Sequence, residues 1–63
     1  MKYEFGDLVL LNDMLEAVVI DGIPSNYKDD INTYEIIVRK NKKRITCSED
    51  ELLPLAKNRY HIQ

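Results

Sequence analysis

No apolar run in this 63-residue chain exceeds four residues, and turn-forming residues separate the runs. Strands punctuated in this way build small all-β sandwiches and barrels. A membrane-crossing helix needs about 18 consecutive apolar residues, which the pattern does not offer. Disorder is disfavoured, because 44% of the residues are hydrophobic and the formal net charge is only −2. The length implies one domain, 1–63, since so short a chain cannot enclose two cores. Domains of this size bury only about 60% of their unfolded surface, which leaves little free energy to hold a deep catalytic pocket. Dimerisation would relieve that marginality and stays open.

Along the chain, Gly6-Asp7 opens a first strand, Leu8-Val9-Leu10-Leu11, and Asn12-Asp13 closes it. A second strand, Glu16 to Ile20, is rich in β-branched residues and stops at Asp21-Gly22. In the third, Thr33 to Arg39, the two-residue period puts Tyr34, Ile36 and Val38 on one face. Glu35 and Arg39 take the other face, with Ile37 the apolar exception. A turn at Lys40 to Lys43 follows, where Asn41 is the residue best suited to a positive φ. The fourth strand, Arg44 to Ser48, points Ile45 and Cys47 inward and pairs with the third as a hairpin.

Ser48-Glu49-Asp50-Glu51 has the Ser-x-x-Glu spacing of a capping box, so one short helical turn is expected there. Pro54 prevents its continuation, and Leu53-Pro54-Leu55 reads as a final edge strand. The tail 57–63 is expected to be loose. The connection from Asp21 to Asn32 is long for a compact domain, and such loops are often functional.

Five strands with one helical turn before the last is the order of a small SH3-like barrel, with its core over about residues 5–56. The residues also resemble known patterns. Gly6-Asp7-Leu8-Val9 resembles the opening of Tudor, KOW and related SH3-like modules. Ser48-Glu49-Asp50-Glu51-Leu52-Leu53-Pro54-Leu55 is similar to the short turn and last strand of phage-encoded SH3-like proteins of the YorP type. The resemblance implies the fold, and that phage family has no defined activity to carry over.

Candidate chemistry is sparse. Cys47 and His61 are the usual nucleophile and base types, but Cys47 falls at an inward strand position and His61 in the tail. No catalytic residues are assigned. Zinc sites use about four Cys or His ligands, and this chain holds one of each. Asp29-Asp30 and Glu49-Asp50-Glu51 lack the alternating ligands and central Gly of a calcium loop. Gly6 and Gly22 stand apart, so there is no glycine-rich phosphate loop. No metal and no cofactor are expected.

The concentrated feature is Arg39-Lys40-Asn41-Lys42-Lys43-Arg44, which holds five of the nine cations in six residues. On a hairpin these form a basic knob able to contact phosphates. The competing reading is a solvated tip that guards exposed strands. An aromatic cage of the Tudor kind would need converging rings, yet Tyr34 and Phe5 read as core. Tyr27 remains as an interface anchor on the long connection. Candidate binding residues are therefore Tyr27, Asp29, Asp30, Arg39, Lys40, Lys42, Lys43 and Arg44.

These readings point to a non-enzymatic protein-interaction module, a phage or prophage factor that docks on or inhibits a host protein. The alternative is a nucleic-acid-binding module using the basic hairpin 39–44. A cytoplasmic location is expected, because Met1 to Phe5 lacks the pattern of a secretory signal and Cys47 is unpaired.

Overall fold

Alternating apolar residues produce five strands in the computed structural model, which describes residues 1–26 and 30–56. They are β1 (Leu8–Leu11), β2 (Leu15–Ile23), β3 (Thr33–Val38), β4 (Arg44–Ser48) and β5 (Leu52–Ala56), with a 3-10 turn at Glu49–Glu51 before β5. All belong to one antiparallel sheet in the order β4-β3-β2-β1-β5. The fold is all-β, and the 3-10 turn is the sole helical element among the described residues. No helix there is long and apolar enough to cross a membrane.

The sheet is open, with β4 and β5 as its two edges and no ladder between them. It is nevertheless strongly curled. Only Glu49–Glu51 separates Ser48 on one edge from Leu52 on the other. That stretch spans at most about 14 Å, whereas the edges of a flat five-stranded sheet lie about 19 Å apart. The curl brings residues of all five strands into one core: Val9, Leu11, Ala17, Val19, Tyr34, Ile36, Cys47 and Leu52, joined by Tyr3. Tyr34, Ile36, Val38 and Cys47 face inward as their alternation requires, and Ile45 packs half-buried against the cluster.

Four local expectations are corrected. β2 does not stop at Asp21-Gly22 but continues to Ile23, because Glu35, Tyr34 and Thr33 offer ladder partners and a bulge between Val19 and Asp21 restores the register. The expected connection 21–32 therefore shrinks to Pro24–Asn32. Positive φ falls on Lys42 (63°) rather than Asn41. Asn41 uses its side chain instead, accepting the Lys43 amide on Oδ1 at 3.0 Å. The Ser48 hydroxyl does not cap the backbone; it donates to Asp50 Oδ1 at 2.5 Å and Glu51 Oε2 at 3.3 Å.

The fourth correction concerns the aromatics. Phe5 is 72% exposed, while Tyr3 is buried at 4%. Tyr3 packs edge-on against Tyr34, with ring centroids 5.4 Å apart. Its N–H donates to the Tyr34 hydroxyl at 3.1 Å, and its own hydroxyl donates to the Leu52 carbonyl at 3.2 Å. The bond to Leu52 requires a phenol at this position, which phenylalanine cannot supply. The tail 57–63 lies outside the described residues.

Candidate functional site

The hairpin joining β3 to β4 builds the basic knob from backbone geometry. Val38 N–H donates to the Lys43 carbonyl at 2.8 Å, and Lys42 N–H returns to the Val38 carbonyl at 2.7 Å. Arg39 anchors the knob to β2 through N–H to Glu16 O at 2.9 Å, with its guanidinium 3.4 Å from Glu16 Oε1. Beside it stands the β1–β2 turn, whose Asn12 and Asp13 take φ of 51° and 62°. Asn and Asp tolerate that left-handed region better than other side chains. Closing the turn, Met14 N–H reaches the Leu11 carbonyl at 3.0 Å.

Between these two tips lies an open groove of about 460 Å³, lined by Met14, Leu15, Glu16, Arg39, Lys40 and Lys42. Met14 is 77% exposed, so a polarizable thioether stands in water beside cations. Among those cations, Lys42 Nζ donates to the Arg39 carbonyl at 3.2 Å. Arg44 lies 3.4 Å from Glu35 Oε2. Lys40 and Lys43 have no carboxylate partner among the described residues. Surface pairs at 3.4 Å contribute little stability, which leaves the knob a source of positive field.

The structure thus brings Arg39, Lys40 and Lys42 to one groove. Lys43 and Arg44 sit on the adjoining hairpin stem. Asp30 is exposed in the connection before β3 and does not line the groove. Tyr27 and Asp29 lie outside the described residues, as does His61. Met14 and Glu16 were not among the sequence candidates. The available signal was an apolar residue directly after a two-residue Asn-Asp turn, a place where burial is unusual.

Cys47 is buried, and burial, reinforced by the nearby Glu51 charge, pushes its thiol above the ordinary value. A thiol held in that form is a poor nucleophile. Tyr34 donates to Glu49 Oε2 at 2.6 Å. This bond is the largest influence on Glu49 and holds its carboxyl below the usual range, assisted by the Asn32 side chain. The same pairing belongs to the Tyr3–Tyr34 core and serves packing. No three His, Cys, Asp or Glu side chains converge to hold a metal among the described residues. Comparison with family models, curated proteins and solved structures finds no match to this chain.

Proposed function

We propose that this chain is a non-enzymatic protein-interaction module whose contact surface is the groove between the β1–β2 turn and the β3–β4 hairpin. The observation that carries the reading is Met14, 77% exposed, in a groove shared with Arg39, Lys40 and Lys42. An apolar anchor inside a basic rim matches an acidic segment carrying one apolar residue. Methionine suits adaptable contacts because its side chain is flexible and polarizable. Opposite charge on the partner would raise the association rate and fix orientation. The reading takes the chain as a phage or prophage factor and a host protein as that partner, in a cytoplasmic setting.

Selection from a displayed peptide library tests the proposal. Enriched sequences should combine Asp or Glu with an apolar residue. Their binding should weaken about tenfold or more on Met14→Asp or on Lys40→Ala/Lys42→Ala, with the fold intact. Enrichment without acidic residues, or binding indifferent to those changes, refutes it.

The nucleic-acid reading has its own support in Lys40 and Lys43, which lack carboxylate partners among the described residues. Against it, Arg39 and Arg44 already lie against Glu16 and Glu35, so a phosphate must compete for them. Binding of a DNA or RNA probe at low salt, with a slope reduced by Lys40→Ala/Lys43→Ala, would favour it.

A further inference from the structure

Phe5 presents an aromatic ring to water from a turn that is held rigid. Asp7, only 1% exposed, accepts the Glu4 amide on Oδ2 at 2.9 Å, and its own N–H donates to the Glu4 carbonyl at 3.0 Å. Gly6 takes φ +92° and donates to the Val19 carbonyl at 2.8 Å, while Val19 N–H donates to the Asp7 carbonyl at 3.0 Å. Burying a carboxylate is costly without such partners. The product of this construction is a fixed turn that displays Phe5, from whose exposed ring folding itself gains little.

Beside Phe5 runs a groove of about 390 Å³ whose lining includes Met1, Ile20 and Gly22 together with the acidic residues Glu4 and Asp21. The β2 bulge falls here, between Val19 and Asp21, and bulges commonly re-aim side chains next to binding sites. Met1 crosses Gly22, where a Cβ would come within 2.8 Å of Met1 Cε, the far end of a flexible side chain. Asp21 Oδ1 accepts the Gly22 amide at 2.9 Å, which fixes that carboxylate.

We propose that this groove is a second binding face, one that takes a basic peptide segment of a partner protein, with Lys or Arg next to an apolar residue. The cation would lie over the Phe5 ring and between the Glu4 and Asp21 carboxylates, where cation–π and charge attraction act together. The apolar residue covers Met1 and Ile20. A ring displayed from a hydrogen-bonded turn costs little backbone freedom on binding, which suits an interface anchor. This face sits at the far end of β2 from the basic groove, about 17 Å away by strand rise. The charged side chains that line it, Glu4 and Asp21, are acidic, and it stands independently of the function proposed above.

NMR titration of the whole chain with a short Gly/Ser-spaced peptide carrying Lys and Leu tests the assignment, with the same peptide carrying Glu for Lys as control. Shifts should centre on Phe5, Ile20 and Gly22 for the Lys peptide and be absent for the Glu peptide. Phe5→Ala should weaken binding about tenfold or more with an unchanged melting temperature, because the ring is exposed. Glu4→Gln/Asp21→Asn should weaken it and flatten its salt dependence. The assignment is overturned by equal binding of the Glu peptide, by an indifferent Phe5→Ala, or by shifts confined to the hairpin tip. It is also overturned if the free protein self-associates through Phe5, since the occupant would then be the basic hairpin of a second copy.

Discussion

The Tyr34 hydroxyl accepts the Tyr3 amide and donates to Glu49, so Tyr34→Phe removes both bonds at once and strands a buried N–H. Leaving such a donor without a partner costs about 1–3 kcal/mol. Urea denaturation should show that loss, with the slope of the transition unchanged. Tyr3→Phe removes only the longer bond to Leu52, at 3.2 Å, and should cost less. The sequence exposes part of this arrangement. Tyr34 alternates with Ile36 and Val38, so its inward direction is legible from period alone. Tyr3 and Phe5 share the same parity yet part company, one buried and one exposed. They lie ahead of β1 on a turn bent by Gly6 at φ +92°, where alternation carries no information. Asp7 is hidden for a related reason: a carboxylate reads as surface until the amide it accepts is known.

At the scale of elements, strand existence is legible and strand ends are not. Asp21 and Gly22 have the composition of a stop, but β3 supplies pairing partners opposite them and the bulge absorbs the mismatch. The hairpin tip shows the same limit. Asparagine has two local habits, tolerance of left-handed backbone and a side-chain bond to the amide two residues on. Here the second prevails, and the positive φ passes to Lys42. A lysine in that region is strained by about 1–2 kcal/mol. Lys42→Gly should relieve the strain, less the added freedom of the unfolded chain, for a net gain of about 0.5–1 kcal/mol. Thermal or urea unfolding measures it. A neutral or destabilising result would mean that the Lys42 Nζ bond to the Arg39 carbonyl outweighs the strain. The candidate site was half legible for the same reason: the run of cations is visible, whereas the groove sets Met14 against Arg39, about 25 positions away in the chain.

The molecule as a whole is a curled open sheet whose seam is bridged by Glu49–Glu51, and its pH response follows from what that bridge touches. Burial raises the Tyr3 and Tyr34 phenols above their ordinary value of 10.0, and the Cys47 thiol above 9.0. Glu49 contributes to both phenol shifts, through charge on Tyr3 and chiefly through the hydrogen bond on Tyr34. Because the folded state keeps these protons longer, the stability they give is complete below the unfolded values and is lost as pH rises through the folded ones. Glu49 acts in the opposite sense. Its lowered carboxyl gives stability that is present above the ordinary 4.5 and lost as pH falls through the folded value. Urea midpoints should therefore form a plateau with an alkaline limb beginning near 9 to 10, at which phenolate absorbance and unfolding rise together. Tyr34→Phe should shallow both limbs at once, since it deletes one buried phenol and the donor that holds Glu49 ionised. An alkaline limb that keeps its full slope in that variant would show that the seam carries the response through other groups. A flat wild-type profile above 10 would show that the phenols titrate without opening the core.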